Sequence, residues 1–137
     1  MISHDIIQAA VIAKLRASAA LLAVTADIRE LGYQGTDFTY PNVRLQIQAQ
    51  EADLDCATLS LVTFSLYAYS DLPSSKECSS LVDMARRVLN NHMLIDIAQV
   101  ERFMGLRMRS LTMSSPYRAT SKVWRADVHF SVRVSEI

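Results

Sequence analysis

The segment Val123–Val134, VWRADVHFSVRV, decides the fold that the sequence predicts. Its even-numbered positions are all apolar, whereas its odd-numbered positions after Val123 are charged or polar. Because successive side chains of a strand point to opposite faces of a sheet, this period of two predicts a strand with one face against a core. The other face is predicted to meet water or a partner protein. Its residues are Arg125, Asp127, His129, Ser131 and Arg133.

The composition is that of an electrically neutral globular protein. The chain has 137 residues, half of them hydrophobic, with 14 Lys plus Arg and 14 Asp plus Glu. This length fits one ordinary core, so residues 1–137 are predicted to form a single domain. A neutral chain lacks the broad basic field that holds nucleic acid, and sequence-specific DNA binding is not expected. Weak self-repulsion instead favours association between copies of the chain.

The N-terminal segment is predicted to be an amphipathic helix that stays in the mature protein. His4 and Asp5 stand where a signal peptide carries its cationic segment, and Lys14 and Arg16 interrupt the apolar run. No apolar stretch reaches the roughly 20 residues that cross a bilayer. We therefore expect no membrane partner, and we expect synthesis and folding in the cytosol.

The hydrophobic patterns together predict an α+β domain with the element order α-β-β-α-β-β. The predicted helices are Asp5–Val24, whose end at Ser18–Val24 is either continuous or a second short helix, and a helix from a Ser74–Glu77 capping box to Asn90–Asn91. The predicted strands are Asn42–Gln50, Cys56–Tyr69, Phe103–Met113 and Val123–Val134. Between them, Met93–Glu101 is predicted to be a connector with one short helical turn, and Ser114–Ser121 a hairpin loop. Adjacent strands joined by short loops predict a mainly antiparallel four-stranded sheet, with the two main helices packed on one face.

No residue pattern predicts catalysis, a cofactor or a metal site. The three histidines lie on separate predicted elements, without a G-x-S-x-G or H-E-x-x-H motif around them. A metal pair of His92 with Asp96 is the remaining distant combination, and a solvated His129 is favoured over a proton relay. Cys56 and Cys78 are too far apart for a C-x-x-C pair, and both are interpreted as small apolar core residues. An enzyme is therefore not expected.

Arginine side chains project from several predicted strands, and two interpretations of them stay open. These arginines are Arg44, Arg107, Arg109, Arg125 and Arg133. In the first interpretation they form a solvated sheet face with weak cross-strand ion pairs. In the second they form a subunit or partner interface, because the planar guanidinium pairs well with carboxylates at protein contacts. Tyr67 and Tyr69 on the second strand favour a covered surface, and the Asp27–Pro41 loop adds Tyr33, Phe38 and Tyr40.

Several segments occur in an order that is typical of one protein family. The opening helix ends in KLRASAALLAV, a loop leads to Tyr40-Pro41 before a strand, and the next strand ends in LYAYS. The helix SSKECSSLVDMARRVLNN, an arginine-bearing strand and the closing strand follow in turn. Over nearly its whole length the chain thus resembles the tail terminator, or tail completion, proteins of tailed bacteriophages. The connector Met93–Arg102 is the part that departs from the resemblance.

The resemblance implies a virion structural protein that has no catalytic residues and no cofactor. Proteins of this family form a hexameric ring on the last ring of the tail tube, stop its growth and offer a docking surface to neck proteins. The implied partners are further copies of the chain, the tail tube protein and a neck or stopper protein, with DNA passing through the ring lumen. The implied location is the tail or neck of the virion, after assembly in the host cytoplasm.

On this basis the polar sheet face and the aromatic loop are the expected contact surfaces. The expected contact residues are Tyr33, Phe38, Tyr40, Arg44, Arg107, Arg109, Arg125, Asp127 and Arg133. Two alternatives to a tail terminator stay open. The first is another neck component, such as a stopper or head-tail adaptor. The second is a small cytosolic α+β oligomeric module that binds a ligand in a closed apolar pocket.

Overall fold

One sheet of eight strand segments and three helices are present in the residues that the computed structural model describes, which are 3–32, 39–52, 59–95 and 103–136. The helices are α1 (His4–Arg16), α2 (Ala19–Val24) and α3 (Lys76–Leu89). The strands before α3 are β1 (Asp27–Glu30), β2 (Asn42–Ala52) and β3 (Leu59–Ser70). The strands after it are β4 (Met93–Ile95), β5 (Phe103–Arg107), β6 (Arg109–Met113), β7 (Tyr117–Thr120) and β8 (Val123–Glu136).

Strand β8 lies at the centre of the sheet. Along one edge it pairs with antiparallel β3, from Leu59 opposite Ser135 to Ser70 opposite Trp124. Along its other edge it pairs in turn with β5, β6 and β7. These three segments follow one another as one interrupted strand that is antiparallel to β8. Beyond β3 the sheet continues to β2 and then to β1, and beyond β5 it ends at β4.

The prediction of a four-stranded antiparallel sheet is correct in part. Each pair of neighbours in the series β2, β3, β8 and the interrupted strand is antiparallel, but β1 runs parallel to β2 and β4 adds a further edge segment. The single strand predicted at Phe103–Met113 is divided at Met108. The Met108 amide donates to His92 O at 2.9 Å, and its carbonyl accepts from Asn91 N at 2.8 Å. These bonds tie Met108 to the segment after α3 and interrupt the ladder.

Three segments predicted as irregular contain strands instead. Strand β1 falls in the predicted Asp27–Pro41 loop, β4 begins the predicted connector, and β7 occupies part of the predicted hairpin loop. Each of these segments is only three or four residues long. Runs this short do not establish a clear period of two, so pairing with a neighbour determines their conformation.

The core lies between the helices and the even-numbered side chains of β8, as the alternation in that segment predicts. Ala126, Val128, Phe130, Val132 and Val134 are all buried there. Phe130 stacks on Phe64 of β3 with 5.2 Å between ring centroids and 9° between ring planes. The buried residues of α1, α2 and α3 belong to the same cluster. The helices therefore cover the apolar side of the central strands.

The prediction for α3 is wrong for the bonds at its start and correct for its end. The residue before its first turn is Ser75, and Ser74 Oγ accepts a hydrogen bond from Lys76 N at 3.2 Å. The Glu77 carboxylate accepts from the Ser70 hydroxyl at 2.7 Å, so it tethers the helix to β3 and the predicted capping box is wrong. The predicted end at Asn90–Asn91 is confirmed, with Asn91 at a φ of 65°.

The first helical segment ends before residue 24, so the alternative with two helices is the one observed. Helix α1 ends at Arg16, and Ser18 begins α2 by accepting a hydrogen bond from Leu21 N at 3.3 Å.

Close packing of β4 on β5 gives a test of the fold. A Cβ atom at Gly105 would lie 2.7 Å from Leu94 Cβ and 2.9 Å from Leu94 O, whereas nothing lies within 4 Å of a Cβ at Gly32. We expect Gly105→Ala to lower the free energy of unfolding by about 1–3 kcal/mol, because the strands must separate. Gly32→Ala is the matched control, and urea denaturation should show it unchanged or slightly stabilised. Equal midpoints for the two variants would contradict this packing.

Candidate functional site

The polar face of the sheet, opposite the helices, is the candidate site. Strand register places its side chains in rows that run across several strands. One row contains Asn42, Tyr69, Arg125 and Tyr117, from β2, β3, β8 and β7. The next row contains Arg44, Tyr67 and Asp127. Side chains from elements far apart in sequence thus meet on one surface.

Arg125 is held at the centre of a cluster that we call the tyrosine cluster, formed with Tyr67, Tyr69, Tyr117 and Asp127. Its guanidinium lies 4.1 Å from the Tyr67 ring centroid and 5.8 Å from the centroids of Tyr69 and Tyr117. Its Nε donates to Asp127 Oδ1 at 2.8 Å. The Tyr117 hydroxyl donates to the same carboxylate, at 3.2 Å to Oδ2. Stacking and hydrogen bonds together fix the direction of the guanidinium.

The positive charge of Arg125 and the neutral phenols of Tyr69 and Tyr117 are stable near neutral pH. Burial is the largest single effect on the pKa of Arg125 and lowers it, but the hydrogen bond to Asp127 and the nearby Tyr69, Asp127 and Tyr117 together raise that pKa above the ordinary value. Burial is the main cause that raises the pKa of Tyr69 and of Tyr117. The guanidinium therefore stays charged and both phenols stay protonated. These properties suit a fixed contact surface better than proton transfer.

Arg44 differs from the expected exposed arginine. Its side chain is 2% exposed, and its Nη2 lies 3.3 Å from Asp27 Oδ2 on β1. The same carboxylate pairs with Arg29 Nε at 2.9 Å. The parallel pairing of β1 with β2 brings these charges together. Arg44 thus joins the edge strand to the sheet, an ion pair between segments that the sequence pattern did not connect.

Three further predicted arginines meet at a second location, which we call the arginine groove. It is an open groove of about 440 Å³ lined by Leu61, Met93, Leu106, Arg107, Arg109, Ser131, Val132 and Arg133. Here Gly105 is opposite Val134 and Arg109 is opposite Ser131. The three residues 106–108 of the interrupted strand therefore face the two residues 132–133 of β8. Such a bulge bends the strand and redirects its side chains. Arg107 is further positioned by a hydrogen bond of 2.6 Å from its Nη1 to Asn91 O.

The bulge also changes which side chains are buried along this strand. The sequence pattern grouped Met104 and Leu106 with Met108 on an apolar face, yet Met104 and Leu106 are each 45% exposed and Met108 is fully buried. Phe103 and Gly105 occupy the core side instead. One additional residue at the bulge shifts the period of two, so no regular alternation can describe both halves of the strand.

Other predicted contact residues lie at or beyond the limits of the described structure. Tyr40 is half-buried and precedes a cis peptide bond to Pro41. Tyr33 and Phe38 lie outside the described residues, as do Cys56 and Asp96.

A hydrogen bond that the sequence did not reveal joins two residues of the polar face. The Ser65 hydroxyl and His129 Nδ1 are 2.5 Å apart, on neighbouring positions of β3 and β8. Ser65 is fully buried, so its hydroxyl is inaccessible to a substrate. The pair therefore stabilises the packing of the two strands. The sequence predicts both strands but not which residue of β3 lies opposite which residue of β8, so it could not reveal this hydrogen bond.

Cys78 has the structural role that its apolar position predicts. Its thiol donates to Ala68 O at 3.2 Å and is buried. Burial, with smaller effects of Asp127 and Glu77, raises the pKa of this thiol to about 11. The thiolate required for nucleophilic attack is therefore scarce at neutral pH.

The described residues contain neither a metal-ligand cluster nor a helix that could span a membrane. Within the ranges given above, no three His, Cys, Asp or Glu side chains are grouped so that they could hold a metal ion. None of the three described helices is both long and apolar enough to span a membrane.

Comparisons with known proteins identify one matching family and one solved structure with a similar fold. The family described as "Tail completion protein gp17" matches residues 9–135. A chain in the solved structure "Virion of native gene transfer agent (GTA) particle" is similar in fold, with a TM-score of 0.77 and 19% sequence identity. The match covers 97% of this chain and 99% of that chain. No curated protein matches this sequence.

The tyrosine cluster gives a test of the site. Arg125→Ala removes the cation that neutralises Asp127, a carboxylate whose side chain is 15% exposed. We expect the free energy of unfolding to fall by about 1–3 kcal/mol, as for other charged groups that lose a partner. Arg118→Ala is the control, because Arg118 is exposed, stacks on Trp124 at 4.3 Å from the ring centroid and donates one hydrogen bond to Ser121 O, without a carboxylate partner in these contacts. It should cost less than about 1 kcal/mol in the same urea titration. A loss for Arg125→Ala no larger than for this control would show that the cluster is not a fixed unit.

Proposed function

The chain belongs to the tail completion protein gp17 family, and on that premise we propose that it forms a ring that closes the end of a tail tube. Membership makes it a structural protein of the virion tail, and the family is one of structural proteins and not of enzymes. The proposed ring is a hexamer that stops tube polymerisation and joins the tail to the head through a neck or stopper protein. DNA passes through the ring lumen in this proposal, without sequence-specific recognition.

The observation that carries the proposal is the ordered, charged sheet face opposite the helices. It contains the tyrosine cluster and borders the arginine groove. A sheet that is covered by helices on one side alone leaves its second side for contacts with other subunits. Repeated head-to-tail contacts of one kind close into a ring when the rotation between copies fits. The zero net charge of the chain allows its copies to approach closely.

The proposed contact residues on this surface are Arg107, Arg109, Arg125, Asp127 and Arg133. Tyr33, Phe38 and Tyr40 are proposed to add contacts to the tail tube. Arg44 contributes indirectly, because its side chain is buried in the chain and pairs with Asp27. Tyr and Arg are the residue types that contribute most often to binding energy at protein interfaces.

The alternative of a ligand-binding module has less support. It predicts a closed apolar pocket with a few polar groups that point inward. The arginine groove is open and carries three guanidinium groups instead. A stopper or head-tail adaptor remains the alternative within virion proteins. Electron microscopy of the chain mixed with polymerising tube subunits distinguishes a terminator from a stopper or adaptor, because only a terminator caps the tube and limits its length.

Reversal of charge in the arginine groove tests the proposed assembly. We expect the double variant Arg107→Glu and Arg109→Glu to form fewer rings than the wild type, because like charges then face the partner. Size-exclusion chromatography with light scattering measures the mass, and circular dichroism checks that the fold is intact. The control is Lys76→Glu with Arg87→Glu, two exposed positions on α3 with the same change in net charge. An unchanged ring mass for the groove variant would contradict the assignment of this surface.

A further inference from the structure

The arginine groove concentrates positive charge in a chain that is neutral overall. Three of its eight lining residues are arginines, and no Asp or Glu is among these described residues. Arg107, Arg109 and Arg133 are all exposed. A guanidinium binds a carboxylate through two parallel hydrogen bonds, so Arg107 and Arg109 together favour an occupant with more than one carboxylate.

Apolar side chains in the same groove restrict the chemistry of its occupant. Leu61, Met93 and Leu106 line it beside the arginines, and Met93 and Leu106 are more than 40% exposed. A phosphate backbone would satisfy the arginines but would leave these apolar side chains without a partner. A peptide that alternates acidic and apolar residues satisfies both.

The chain itself carries one segment of this composition. Residues 51–55 read EADLD, with Glu51, Asp53 and Asp55 alternating with Ala52 and Leu54. In an extended conformation the three carboxylates would share one face and the two apolar side chains the other. Residues 53–55 lie outside the described structure, whereas Glu51 is exposed at the end of β2.

Three other acidic residues of the described chain are already paired. Asp27, Asp83 and Asp127 form ion pairs within the chain, at 2.8–3.0 Å in their shortest contacts. They are therefore less suited to bind a second molecule.

We propose that the arginine groove of one copy binds the acidic segment 51–55 of a neighbouring copy. This inference rests on the association of copies in the proposed function and assigns its partner chemistry. Glu51 is opposite Leu61 on β3, and Leu61 is opposite Arg133 on β8. Glu51, where the segment begins, thus lies at the same end of the sheet as the groove. A head-to-tail contact that seats the segment of one copy in the groove of the next brings opposite charges together.

A charge-swap experiment with two variants tests the contact. The groove variant is Arg107→Glu with Arg109→Glu, and the segment variant is Glu51→Lys, Asp53→Lys and Asp55→Lys. Each variant alone places like charges at the contact, and we expect its association to weaken at least about tenfold. An equimolar mixture should recover the wild-type mass in light scattering, because every contact then joins Glu with Lys or Arg with a carboxylate.

Recovery in the mixture is specific for a contact between copies. If the segment binds the groove of its own chain, mixing brings no complementary charges together and the mass stays low, which would overturn the proposal. Lys76→Glu with Arg87→Glu should behave as wild type, both alone and mixed with either variant.

A peptide measurement separates this proposal from ring formation. The probe is a fluorescent peptide of residues 50–56 with Cys56→Ser, and fluorescence anisotropy follows its binding to the wild-type chain. Binding should weaken at least about tenfold for the groove variant and for a peptide with Asn and Gln in place of its acids. A single-stranded DNA that binds the groove while the peptide does not would overturn the proposal. A wild-type chain that stays monomeric yet binds the peptide would refute the ring and the contact between copies, while it would establish the acidic specificity of the groove.

Discussion

The ladder between β3 and β8 is the contact on which the rest of the molecule depends. It runs the full length of β3 and all of β8 except its two terminal residues, and it stacks Phe64 on Phe130 on the core side. On the opposite side the same register brings Tyr67 beside Asp127 and Ser65 beside His129. A shift of one residue would exchange the two faces of a strand, so burial of the phenylalanines also fixes the polar surface.

This coupling explains how an open sheet face can present an ordered surface. Arg125 is held by a ring and by a carboxylate before any partner arrives, and Arg107 is held by a backbone carbonyl. Side chains that are already ordered lose less conformational entropy on binding. The bulge between β5 and β6 is equally important, because it opens the groove in which Arg107 and Arg109 lie.

The groups that could have suggested catalysis have structural roles instead. Ser65 is buried behind its hydrogen bond to His129, and Cys78 is a buried thiol with a raised pKa. Both residues connect central elements, β3 with β8 and α3 with β3. This use of polar groups agrees with the structural role of the tail completion family.

The sequence by itself determined the elements whose period is regular over many residues. The alternation in Val123–Val134 and the apolar stripe of α3 predicted the buried faces correctly, because strand and helix periods are set by neighbouring residues alone. Only the tertiary structure decided the parallel addition of β1, the burial of Arg44 and the break at Met108. Each of these depends on a partner distant in sequence: Asp27 for Arg44, and His92 for Met108. The groove has the same origin, because a bulge exists only relative to the strand opposite it, and no local pattern shows which strand that is.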